Sequence, residues 1–203
     1  MLSLDHLAVA GHDLSEATEQ VEAALGVALQ PGGRHDHFGT WNRLLGLADG
    51  LYLEVITIDP EAADPDRPRW FDLDRFAGST RLQTWICRTD DLSAAQRAIP
   101  GVGDSIALSR GDLRWSMAVP QSGILPFDNR CPALIQWQGS AHPASRLEDS
   151  GCALRRLIVS HPQAAELQAT LSGQLNDTRV VFETGMSSLR AEIDTPHGMR
   201  VLA

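Results

Sequence analysis

A carboxylate inside an apolar strand is the first feature of this chain that asks for a chemical reason. Glu54 interrupts the run Leu51 to Ile58. Facing a core it would be costly unless paired, metal-bound or lining a wet pocket, whereas on a solvent-facing edge strand alternation makes it ordinary. His6, in the strand-like segment Leu4 to Val9, offers an imidazole that can serve a site or hydrogen-bond a strand neighbour. Asn42, within Gly39-Thr40-Trp41-Asn42, is a turn residue or an amide for a ligand. Trp41, Trp85, Trp115 and Trp137 lie on strand-like segments, where alternation aims them into a cleft or a core. Arg88 and Arg114 can pair a substrate carboxylate bidentately, and with a formal charge of −9 an inward arginine would be an informative exception. Cys87 has no histidine placed beside it to make it a nucleophile.

Composition removes several alternatives. The chain has no lysine, so Schiff-base chemistry, a pyridoxal phosphate anchor and a P-loop clamp have no amine to use. GxSxG and GxGxxG turns are also missing. The acidic balance argues against nucleic acid as a partner. No apolar run approaches the roughly 20 residues of a membrane helix, and no basic region with an apolar core opens the chain, so a cytoplasmic location without membrane contact is expected. Cys87, Cys131 and Cys152 form no CxxC pair and read as buried free thiols.

The elements that must position these residues repeat. Leu4-Asp5-His6-Leu7-Ala8-Val9 overlays Leu82-Gln83-Thr84-Trp85-Ile86-Cys87 at an offset of 78 residues, and the same register lays Asp13-Leu14-Ser15 on Asp91-Leu92-Ser93. Asp or Ser can cap the first turn of a helix after each strand. Leu14, Ala17, Val21, Ala24 and Leu25 then form a helical stripe ending near Gly26. Strands follow around Thr40 to Leu47 and Leu51 to Ile58, joined through Asp49-Gly50. The result is a βαβββ module. A second copy has a helix through Ala98 and strands near Ser105 to Ser109, Leu113 to Val119 and Ala133 to Trp137. A third, shorter copy starts at Leu154 to Val159, with a helix over Gln163 to Leu171 and strands near Arg179 to Glu183, Ser188 to Ile193 and Met199 to Leu202. Asp59 to Gly78 and Gly139 to Gly151, rich in turn formers, read as connections.

At Leu4-Asp5-His6-Leu7, Gly32-Gly33-Arg34-His35, Gly39-Thr40-Trp41-Asn42, Leu51-Tyr52-Leu53-Glu54, Leu125-Pro126-Phe127, Ile135-Gln136-Trp137 and His142-Pro143 the chain resembles the glyoxalase-like branch of the vicinal oxygen chelate superfamily. The resemblance implies an α+β fold in which repeated βαβββ modules form a curved, cleft-bearing mixed sheet. Residues 1–145 would hold two paired modules, at about 1–60 and 80–138, and residues 152–203 a partial C-terminal module on the same core. It further implies metal ligands on the first and fourth strands of each module. His6 and Glu54 hold the first-module positions, while Thr84 replaces a histidine and a neutral residue, Gln136 or its neighbour, replaces the other carboxylate. His35 or His37 would complete a two-His, one-carboxylate set for Zn, Mn, Fe or Ni, the flexible Gly32, Gly33 and Gly39 permitting the approach.

The expected function is therefore a small-molecule cleft. In one form it is a metal-assisted lyase, isomerase or dioxygenase on an oxygen-bearing substrate, with His6, Glu54 and His35 on the metal and Glu54 moving a proton. In the other it is a metal-free protein that binds or sequesters a small molecule. Either form uses His35, Asn42, Thr84, Arg88, Trp115 and Gln136 as ligand contacts, and a homodimer is compatible with both.

Overall fold

A computed structural model describes all 203 residues. In chain order the elements are β1 (Ser3–Ala10), α1 (Leu14–Leu25), β2 (Gln30–His35), β3 (Thr40–Leu47), β4 (Leu51–Ile58), β5 (Arg81–Arg88), α2 (Leu92–Ala98), β6 (Asp104–Arg110), β7 (Leu113–Val119), the short α3 (Pro126–Asn129), β8 (Ala133–Gln138), β9 (Ala153–His161), α4 (Ala164–Leu171), β10 (Val180–Thr184), β11 (Ser188–Thr195) and β12 (Gly198–Leu202). Both repeated caps form: Asp13 accepts from the Glu16 amide and Asp91 from the Ala94 amide. No helix is long and apolar enough to cross a membrane.

Strands β1 to β8 make one eight-stranded sheet in the order β2-β3-β4-β1-β5-β8-β7-β6. In each half the first strand pairs in parallel with the last, β1 with β4 and β5 with β8, and the halves join antiparallel through β1 and β5. The sheet curls until its two edge strands approach, so that Arg110 of β6 reaches Asn42 of β3. Alternation divides its faces. Leu7 and Val9 of β1, with Leu53 and Val55 of β4, pack under α1, whereas His6, Tyr52 and Glu54 point to the concave side that Ala8 and Ile56 also line.

Strands β9 to β12 form a second sheet, ordered β10-β9-β11-β12. The element sequence of the third unit repeats that of the first two, but its pairing does not: β9 lies directly between β10, parallel, and β11, antiparallel. It cannot add another curl to the large sheet and packs against its convex side instead. One apolar cluster of 34 residues runs through both, joining Leu7, Leu53 and Trp85 to Leu154, Leu157 and Ile193. Fully burying each such side chain is worth roughly 1.5–3 kcal/mol.

Candidate functional site

The concave face closes over a recess lined by His6, His35, Asn42, Tyr52, Glu54 and Arg110 among its polar groups. Trp70, Phe71, Trp115, Met117, Ile135 and Trp137 form its walls.

A bulge in β1 builds the centre of the site. The pairing of β1 with β5 slips between Leu4 and His6, which breaks strict alternation and lets both Asp5 and His6 turn inward. Asp5 is fully buried and accepts from His6 Nδ1 at 2.6 Å, His142 Nε2 at 3.0 Å and Trp137 Nε1 at 3.1 Å. Burial pushes its carboxyl upward, but the bonds from His142 and His6 outweigh this and hold it well below the usual carboxylate range. With Asp5 on Nδ1, His6 turns Nε2 toward Glu54, whose Oε2 lies 3.8 Å away. Tyr52 stacks on the imidazole at 4.2 Å and 14° and fixes its plane.

A second chain of bonds holds Glu54 from the other side. Asn42 Nδ2 donates to Glu54 Oε1, and Asn42 Oδ1 accepts from the Gly33 amide at 2.8 Å and from Arg110 Nη1 at 3.2 Å. The glycines make this possible sterically rather than by flexing. A Cβ at position 32 would stand 2.0 Å from Asn42 Oδ1, and one at 33 would stand 2.8 Å from Arg110 Cδ. Arg110 also meets His35 Nε2 at 3.0 Å, while His35 Nδ1 contacts the Thr40 hydroxyl at 3.1 Å. Burial, with Arg110 and then His6 adding to it, pushes the His35 imidazole down to about 3. His35 is therefore neutral, and its Nε2 lone pair accepts from the guanidinium.

That geometry does not suit a metal ion. No cluster of three or more His, Cys, Asp or Glu able to hold one is present. His6 and Glu54 stand close, but His35, expected as the third ligand, has its lone pair committed and a guanidinium beside it that would repel a cation. The structure thus does not bring His6, Glu54 and His35 together as three free ligands for Zn, Mn, Fe or Ni. His37 is exposed and does not replace it.

Of the expected ligand contacts, His35, Asn42 and Trp115 line the recess together with His6 and Glu54. Three do not. Thr84 pairs across from Ala8 on the concave face, buried and with its hydroxyl unpartnered, yet outside the lining. Arg88 reaches Gly50 O at 3.4 Å and Asp5 Oδ2 at 3.5 Å, behind the recess. Gln136 lies on the opposite face of β8, where its Oε1 accepts from the Leu92 amide and its Nε2 donates to Asp90 O, so it holds α2. The register shows why: Ala8 pairs with Glu54, and Ile86, its equivalent at the offset of 78, pairs with Ala133. Ala133, three residues before Gln136, is the true counterpart of Glu54. Arg114 is exposed and bonds to nearby main-chain carbonyls.

Asp5, Arg110 and Trp70-Phe71 were not anticipated. Asp5 stands beside His6 in the first strand, where strict alternation would put the two on opposite faces. Arg110 ends a strand remote in sequence from β2 and β3. Trp70-Phe71 belongs to a connection, and only its aromatic pair beside a Pro-rich stretch signalled a structured wall.

Residues 4–175 match the family described as Glyoxalase-like domain. A hypothetical protein from Staphylococcus aureus is similar in structure at 14% identity, over 93% of this chain and 88% of that one, with a TM-score of 0.58. Methylmalonyl-CoA epimerase from Mycobacterium tuberculosis aligns at 20% identity over 68% and 88%, with a TM-score of 0.44. A variant of the Streptomyces coelicolor methylmalonyl-CoA epimerase, in complex with 2-nitronate-propionyl-CoA, aligns at 18% over 70% and 100%, also at 0.44. No curated protein matches. With the match running from β1 past α4, and two βαβββ halves curled around one recess, the chain belongs to the glyoxalase-like domain family of the vicinal oxygen chelate superfamily.

Proposed function

We propose that the recess is a metal-independent acid–base site that moves a proton on a small oxygen-bearing organic substrate, as an isomerase or lyase does. The observation that carries this reading is the arrangement Asp5–His6–Glu54. A buried carboxylate fixes His6 Nδ1 at 2.6 Å, so Nε2 faces the recess beside a second carboxylate at 3.8 Å. Asp5 orients the imidazole and stabilises its protonated form, His6 takes the proton, and Glu54, held by Asn42, accepts or returns it. Aromatic walls exclude water from the transfer.

The test follows proton exchange by NMR in deuterated water, with small keto and hydroxy acids first selected by thermal shift. Deuterium enters at the carbon next to the carbonyl with chelator-treated wild-type protein, and not with His6→Ala. Exchange that survives His6→Ala, or that chelation abolishes and Zn, Mn, Fe or Ni restores, overturns the reading. Pure sequestration, the other expectation, would give binding without exchange.

A further inference from the structure

Two hydrogen-bond donors on the recess wall have nothing in the protein to donate to. Arg110 spends Nη1 on His35 and Asn42, while its Nε and Nη2 make no hydrogen bond and the guanidinium enters no ion pair. The buried indole N–H of Trp70, another wall residue, is likewise unpartnered. The indole N–H is a buried donor whose unpaired state costs on the order of 1–3 kcal/mol, and the free guanidinium edge of half-buried Arg110 stands on the same wall, so the two together point to an acceptor.

The shape of that acceptor can be read from elsewhere in the chain. Arg75 gives Nε and Nη2 to the two oxygens of Asp72 at 2.7 and 2.8 Å, and Arg179 gives the same two atoms to Asp177 at 3.0 and 2.8 Å. Nε–H and Nη2–H run parallel at the spacing of carboxylate oxygens. This is the edge that Arg110 leaves over. Charge sets the limit: Arg110 is the only arginine on the lining, and Glu54 shares the recess. A dianion would meet Glu54 with no second cation to offset it. Trp115, Met117 and Ile135 present an apolar surface to the rest of the ligand.

We infer that the recess takes a small monocarboxylate with an apolar body, its carboxylate seated on Nε and Nη2 of Arg110 and its oxygen shared with the Trp70 indole. The inference rests on the recess being the ligand site proposed above. It adds the substrate class.

Calorimetric titration of the full chain with benzoate, benzamide and phthalate tests it. Benzoate binds, and the neutral isostere and the dianion bind at least about tenfold more weakly. Arg110→Lys keeps the charge but loses the fork, and weakens benzoate about tenfold, whereas Trp70→Phe weakens it about threefold. Benzamide or phthalate binding as well as benzoate, unchanged benzoate affinity in a folded Arg110→Lys, or no benzoate binding at all overturns the inference. The benzamide and phthalate arms use wild-type protein and stand even if a variant fails to fold. The two readings fail separately. Proton exchange at His6 without benzoate binding removes only the substrate class, and benzoate binding through Arg110 without any exchange removes only the chemistry.

Discussion

The two halves of the large sheet are copies of one unit, yet they contribute opposite things to the recess. At matching positions the first half has His6, Glu54 and Asn42 where the second has Thr84, Ala133 and Met117, an equivalence that follows from the offset of 78 and the strand registers. The first half thus supplies polar groups and the second an apolar wall, with Arg110 as its one charged intrusion. A site shared evenly between two modules needs donors from both. Here the two copies divide the labour, and the second half has Thr84 and Ala133 where a balanced donor set would need ligands.

The sharpest way to break this comparison is to exchange members of one equivalent pair. His6→Ala should lower the rate of proton exchange by about 10²–10⁴-fold, the usual worth of a positioned acid–base group, while Thr84→Ala changes it less than about threefold. Equal losses would mean that the halves share the chemistry after all. Asn42→Leu should destabilise the fold by about 1–3 kcal/mol in chemical denaturation, because it strips the buried Glu54 of its donor, whereas Met117→Leu should cost less than about 1.5 kcal/mol.

Acid titration sharpens the same contrast. His35 is held neutral with its pKa near 3, against the ordinary 6.5, so the unfolded chain binds the proton first. Stability from this group is complete above about pH 6.5 and falls with acid toward pH 3, by up to about 1.4 kcal/mol per unit. Asp5, whose pKa is depressed, adds a loss that begins only below about pH 4. Melting temperatures of wild type and His35→Gln between pH 7 and 4 should therefore converge as pH falls, and parallel curves would refute the assignment. The smallest effect is expected at Gln136→Ala, about 1 kcal/mol through the loosened start of α2, with exchange at the recess unchanged.

How much of this was legible depended on whether a residue's role is set along the chain or across it. The caps Asp13 and Asp91, the α1 stripe and the register of the first two strands are local, and all stood out in the repeat. His6, Glu54 and Asn42 came with them, because their positions lie within one module. Asp5 was hidden by a single bulge, which no alternation rule anticipates. Gln136 was misplaced because the resemblance set the fourth-strand position three residues too late, and a slip of an odd number of residues reverses the face of a strand. Arg110 could not be found from its neighbours, since its place depends on the whole sheet curling far enough for β6 to meet β2. The pairing of the C-terminal strands was equally invisible: the order of elements is written in the sequence, while the choice of partner is made by packing against the convex face.

The aromatic wall has a practical consequence. Of the chain's five tryptophans, Trp70, Trp115 and Trp137 line the recess. Its intrinsic fluorescence is thus weighted toward the one region where a guest would sit, and Trp115 and Trp137, with ring centres 5.5 Å apart, are close enough for excitation to pass between them. Entry of a small molecule should register as a change in emission intensity and polarity without any added label, a built-in optical gauge for screening candidate substrates.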